Sequence, residues 1–192
     1  MKVAKQNAIE AWHFLPAVDG FKRGDAARTQ HTAEPVMVGT VLHVAGPITP
    51  CEHGLHASRR ALDALKYAPG PIACRVRVYG EVIEHDDKLA GSYRECVAMI
   101  DATNILHEFA CCSAEAALLL ADVTDMRCWQ AIEAKRAWLR KEIGDKELAA
   151  ARDAAWDAAR AAARATAWDA ARAAARAELN TTLESMLLEA MA

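Results

Sequence analysis

From Ala155 to Ala177 the chain writes one block twice, AWDAARAAARAT followed by AWDAARAAARA, with Trp156 and Trp168 twelve residues apart. Alanine has the highest helix propensity of any residue, and Leu148 to Ala177 holds neither glycine nor proline. One long helix is the reading this leaves. Arg152, Trp156, Arg160, Arg164, Trp168, Arg172 and Arg176 recur at every fourth position. Residues four apart touch on a helix, so each tryptophan lies between two guanidinium groups, each contact worth ~0.5–1 kcal/mol where exposed. Four residues overshoot one turn by about 40°, so this ridge winds, and a twelve-residue period sets the tryptophans about 120° apart. Asp157 and Asp169 meet Arg160 and Arg172 at i+3.

Five arginines against three aspartates between Leu148 and Ala177 are too dilute for a stripe that tracks phosphates, so nucleic acid is not the expected partner. The formal net charge of the chain, −3, points the same way. Beyond the repeat, Leu179, Leu183, Met186, Leu187 and Met191 recur at helical spacing and need burial. A homo-oligomer whose interface uses Trp156, Trp168, Leu179, Leu183, Met186 and Leu187 is the expected solution, with docking on the parent domain as its rival. Thr181 and Glu184 fit a T-x-x-E capping box, which predicts a bend and a short terminal helix.

Upstream the pattern is that of a globular domain. Ala11–Leu15 reads as a first strand, 26–34 as irregular, and Val36–Val44 as one or two strands. Leu55–Ala57 is a brief strand, and Ser58 stands where the N-cap of a helix over 59–67 belongs. Pro69-Gly70-Pro71 stops that helix. In Ile72–Ile83, Ile72, Cys74, Val76 and Val78 share one parity and Ala73, Arg75, Arg77 and Tyr79 the other, the signature of a strand with one buried face. Gly80 marks a bulge, and Tyr93–Ile100 is the antiparallel partner. Asp101 caps a helix carrying Ile105, Leu106 and Phe109, Ser113 caps a second, and Met126–Ile143 is an amphipathic helix ended by Gly144. The expected fold is α+β: a small antiparallel sheet with covering helices over 1–121, an amphipathic helix in 122–144, and a long alanine-rich helix in 145–192.

The longest apolar run, Ala114–Ala121, is too short to span a membrane. MKVAKQNAIEAW lacks the apolar core of a signal peptide, so the six cysteines are expected as reduced thiols in the cytoplasm of a bacterial host.

Chemistry has one candidate address, Cys51 to Ser58. Cys51, His53 and His56 have C-x-H-x2-H spacing and could hold zinc, although no second cluster supplies a fourth ligand. Alternatively His53, His56 and Ser58, helped by Arg59 and Tyr67, bind an anion or nucleotide at the N-terminus of the helix that follows. Catalytic candidates there are His56 with Glu81 or Glu95. Strand, histidine, helix, strand, glutamate is the element order of ADP-ribosyltransferase-like domains, which makes such an enzyme the alternative reading. The third reading gives this loop a purely structural role.

GLHASRRALDALKYAPG (54–70), CRVRVYGEV (74–82), DDKLAGSYR (86–94) and the tail ending LESMLLEAMA (183–192) resemble a group of small phage and prophage proteins of unknown function. The resemblance brings no catalytic residues. It implies a phage origin, and accessory proteins of that origin act by binding host machinery, defence systems included. The function expected is therefore a non-enzymatic interaction protein with a host protein target, an anti-CRISPR-like inhibitor being one form.

Overall fold

The structure, a computed structural model, describes residues 7–30, 32–162 and 169–192, and side chains outside 158–174. Among these the chain runs β1 (Ile9–Leu15), β2 (Ala27–Arg28), β3 (Pro35–Val36), β4 (Val41–His43), β5 (Leu55–Ala57), α1 (Ala61–Leu65), β6 (Ile72–Glu84), β7 (Leu89–Asp101), α2 (Thr103–Leu120), α3 (Met126–Leu139), α4 (Asp145–Ala162) and α5 (Asp169–Met191). The fold is α+β, an antiparallel five-strand sheet with helices, followed by a helical region ending in α5. Two compact units share the chain. One runs up to Thr103 and takes back Leu183–Ala192; the other is Asn104–Thr182.

In the first unit the alternating residues of 72–79 make β6, and a four-residue turn, closed by His85 N–H on the Lys88 carbonyl at 2.8 Å, folds β7 back along it. β1 pairs with the outer side of β6, and β4 and β5 pair end to end along the outer side of β7. Ser58, just past β5, bridges Trp12 of β1 through two backbone hydrogen bonds of 2.7 and 2.9 Å. The sheet therefore curls until its two sides meet. Its interior collects Ala11, Leu15, Ile72, Cys74, Val76, Val78, Cys96 and Met99, all buried. Trp12 and Phe14 are buried on the other face of β1, the strand against which α1 packs. Each large apolar side chain so buried contributes ~1.5–3 kcal/mol before chain entropy is counted.

Several expectations change in the structure. Residues 26–34 are not all irregular: β2 and β3 form a two-strand hairpin. The helix after Ser58 is only Ala61–Leu65, with Arg60 at its N-cap and no side-chain cap. Ser58 is instead committed to the Trp12 bridge, in extended pairing. Ser113 starts no second helix, because its hydroxyl donates to the Phe109 carbonyl (2.7 Å) inside the single helix α2. Asp101 does cap, accepting from Thr103 N–H at 2.9 Å. α3 stops at Leu139 with Lys141 in the left-handed region (φ 61°), so Gly144 is not its terminator. Thr181 and Glu184 lie inside α5 and make no capping box; the Thr181 hydroxyl donates to the Ala177 carbonyl at 3.2 Å.

The second unit pairs α3 with α4. Arg136 gathers Glu108 (2.8 Å), Glu115 (2.7 Å) and Glu133 (3.3 Å), and the two carboxylates of α2 hold its guanidinium pKa above the ordinary value. Trp138 Nε1 donates to Asp145 at 2.7 Å, and Lys135 lies 3.7 Å over the Trp138 ring. Trp168, and with it the side-chain ladder of Arg160, Arg164 and Arg172, lies outside the described residues. Among the described residues no helix is long and apolar enough to cross a membrane.

Candidate functional site

The loop singled out by sequence is held together by its own polar groups. Thr49 O accepts from the N–H groups of Glu52 (3.1 Å) and His53 (2.7 Å), while Thr49 N–H donates to His53 O at 2.8 Å. Cys51, exposed and at φ 71°, donates its N–H to His56 Nε2 at 3.0 Å, which leaves the ring proton on Nδ1. His53 Nε2 lies 2.8 Å from Ala45 O. Each histidine thus braces backbone. Among the described residues no group of three metal-ligating side chains comes together, so Cys51, His53 and His56 do not converge on a metal.

The anion site expected at the next helix has an occupant from the chain itself. Glu184 Oε1 accepts from Ala61 N–H at 3.0 Å, at the first turn of α1. Arg59 is bound to Glu84 through both its Nε and its Nη2, the latter at 2.9 Å. Tyr67 donates to Asp87 at 2.8 Å, Lys66 reaches the same carboxylate at 3.1 Å, and Lys88 lies 5.2 Å over the Tyr67 ring. Hydrogen bonds from Tyr67 and Lys66 lower the Asp87 pKa, and the same bond to Asp87 raises that of Tyr67. Lys88 also donates to Cys51 Sγ at 2.9 Å. Glu81 is exposed beside the β6 bulge, its N–H on Ser92 Oγ (3.0 Å). Glu95 lies 3.8 Å from Arg77. Of the tail positions, Leu183 and Leu187 are fully buried within the single chain, the burial the docking alternative requires, while Leu179 and Met186 are half-buried and Trp156 is exposed.

The structure also brings together four residues that sequence had not grouped. His13 of β1 pairs with Cys74 of β6, Val76 pairs with Cys96 of β7, and Arg94 shares its face with Cys96. With Leu15, Val36, Thr40, Leu42 and Val76 these line a cavity of about 10 Å³ inside the curled sheet, room for roughly one water centre. Arg94 is only 7% exposed and donates through Nη1 to His56 O at 2.6 Å. Among the described residues no carboxylate lies within ion-pair distance of it. Burial pushes the guanidinium down to about 10, which leaves it charged at neutral pH. Burial, then the charges of Arg94 and His56, hold His13 well below its ordinary value, so its imidazole is neutral. Cys74 Sγ lies 3.9 Å from Ile72 O and Cys96 Sγ 3.7 Å from Ala98 O; interaction with the Cys96 thiol, then burial, raises Cys74, and interaction with the Cys74 thiol, with Arg94, lowers Cys96 against the cost of burial. A neutral histidine, two thiols on one cavity and an arginine without a carboxylate form the most polar part of this interior.

The class defined is thus an α+β protein whose curled antiparallel sheet encloses a small cationic, thiol-lined cavity. Residues 30–108 are similar to a domain of unknown function (DUF7666), a match that covers β3 through β7 and most of the candidate residues, and leaves β1 and the alanine-rich helices outside it. No curated protein and no solved structure matches the chain.

Proposed function

We propose that the protein acts by binding, as a phage-derived partner of a bacterial host protein, with a CRISPR-type defence system as its target. The observation that carries this reading is a solvent-facing apolar run between β3 and β4: Met37 is 47%, Val38 53% and Val41 45% exposed. Large apolar side chains grouped in this way are characteristic of interaction surfaces. β4 pairs with β7 on one side, and among the described strands none pairs with its other side. A partner's extended segment can add there as a further strand, with apolar pockets supplied by the neighbouring residues. The alternative, a nucleotide-handling enzyme at Cys51–Ser58, loses support because the groups it needs are engaged within the loop or with one another. Self-association through the tail, the second part of the binding reading, would use either Leu188, exposed on α5, or the opposite stripe of half-buried Leu179 and Met186, seven residues apart.

Expression in a CRISPR-bearing bacterial strain tests the reading. Wild-type protein should restore plating of a targeted phage at least about tenfold, and Val38→Glu with Val41→Glu should abolish the effect while leaving the circular dichroism spectrum unchanged. No restoration, or full activity of the folded double variant, would sink it. A solution mass of one chain would remove the tail-mediated oligomer.

A further inference from the structure

The cavity inside the sheet holds a positive charge and no carboxylate. Arg94 spends one N–H on His56 O, and no other acceptor lies within hydrogen-bond distance of it among the described residues. A guanidinium buried to this degree requires a compensating negative charge close by. The groups around the cavity are His13 from β1, Cys74 from β6, Arg94 and Cys96 from β7, and Thr40 from the segment before β4. Glu95 points to the opposite face of β7, beside Arg77. Of the groups that line the cavity, only the thiols can become anionic near neutral pH. Cys74 lies in the same strand face as Val76, the residue paired with Cys96, so the two thiols sit diagonally across the β6–β7 pair, and both line the cavity. As thiols, Cys74 has only the Ile72 carbonyl, at 3.9 Å, and Cys96 only the Ala98 carbonyl, at 3.7 Å; Cys96 is the one that shares its strand face with Arg94, two residues away.

We propose that Cys96 stands as a thiolate against Arg94 and is oxidised by hydrogen peroxide, with Cys74 as the resolving thiol. The thiolate is the nucleophilic form of cysteine, and a neighbouring cation favours it. In the first step Cys96 sulfur attacks one peroxide oxygen. The S–O bond forms, the O–O bond breaks, and hydroxide leaves to take up a proton from water; sulfur is oxidised to sulfenic acid and the peroxide is reduced. In the second step Cys74 sulfur attacks Cys96 sulfur, the S–O bond breaks, and the oxygen leaves with the Cys74 proton as water. Two thiols and one peroxide give one disulfide and two waters. A cavity of about 10 Å³ selects an oxidant close to water in size, so bulky organic hydroperoxides are excluded.

The test uses the full chain, reduced and treated with a small excess of hydrogen peroxide, then with a thiol-blocking reagent before peptide mass spectrometry. The expected product is a Cys74–Cys96 disulfide, with tert-butyl hydroperoxide at least about tenfold slower. Cys74→Ser should stop at a Cys96 sulfenic acid that dimedone captures. Because Arg94→Gln can fail to fold, the second readout is thiolate absorbance at 240 nm across a pH titration of wild type and Cys96→Ser; the difference should reveal one thiolate already present at pH 7. Oxidation confined to the exposed Cys51, with Cys96 unmodified, overturns the proposal. So does an absorbance difference that emerges only above about pH 9.

Discussion

Arg94, His13 and Glu184 each act through one or two atoms. The imidazole of His13 has an ordinary pKa of 6.5 in the unfolded chain and a much lower one in the fold. Below pH 6.5 the unfolded chain therefore binds the extra proton, and stability falls as pH drops from about 6.5 towards the folded value. Urea midpoints at pH 7.5 and 5.5 should show that loss, and His13→Gln should flatten it; a wild-type midpoint that rises on acidification would contradict the assignment. Glu184→Ala removes the acceptor of Ala61 N–H and should cost ~1 kcal/mol, like the loss of a helix cap. Leu187→Ala, at a fully buried position, should cost ~2–5 kcal/mol by the same urea measurement. The parity of Ile72, Cys74, Val76 and Val78 makes the inward face of β6 legible in the sequence. Arg94 was not legible: a lone arginine in a strand reads as solvated, and only the curl of the sheet encloses it.

At the scale of elements, β6 and β7 meet across two irregularities, between Arg75 and Val76 and between Tyr79 and Val82. The second is the bulge that Gly80 announces, at φ 86°. The first has no such marker, and it switches the buried parity of β7 from Arg94 and Cys96 to Met99. That switch explains why the pairing of the two strands could be read from sequence while the grouping of the cavity residues could not. Gly91 permits the hairpin's close approach, since a Cβ there would fall 2.3 Å from Val78 Cγ1. Gly91→Ala should therefore destabilise the sheet unit by ~1–3 kcal/mol, seen as a lower urea midpoint; an unchanged midpoint would show the strands free to part. For α1, sequence places a helix before Pro69 but draws it two residues too long at each end and names the wrong cap. Ser58 is an acceptable N-cap in isolation, and the pairing of its backbone with Trp12 decided otherwise.

At the scale of the whole molecule, the alanine block argued for a helix and the leucines after it argued for burial. Which surface would cover them was beyond sequence, because a leucine ladder is equally satisfied by a second copy or by its own domain. Within one chain Leu183 and Leu187 are already covered, Glu184 reaches α1, and Arg23 donates to the Met191 carbonyl at 3.1 Å. Deleting residues 183–192 should lower the melting temperature of the sheet unit and raise its tendency to aggregate, both measurable by thermal scans with light scattering. An undisturbed melting temperature would show the segment to be dispensable. Because Leu183–Ala192 belongs with residues before Thr103, the sheet unit is assembled from two pieces of chain separated by Asn104–Thr182. Joining them is a loop closure over that whole insertion, an entropic cost that grows with the length of flexible chain enclosed. Helices formed early inside the insertion shorten the flexible part and reduce that cost. The alanine-rich sequence, with its strong local preference for helix, then acts on the rate at which a distant sheet is finished, and helix-breaking substitutions within it should slow refolding of a unit they do not belong to.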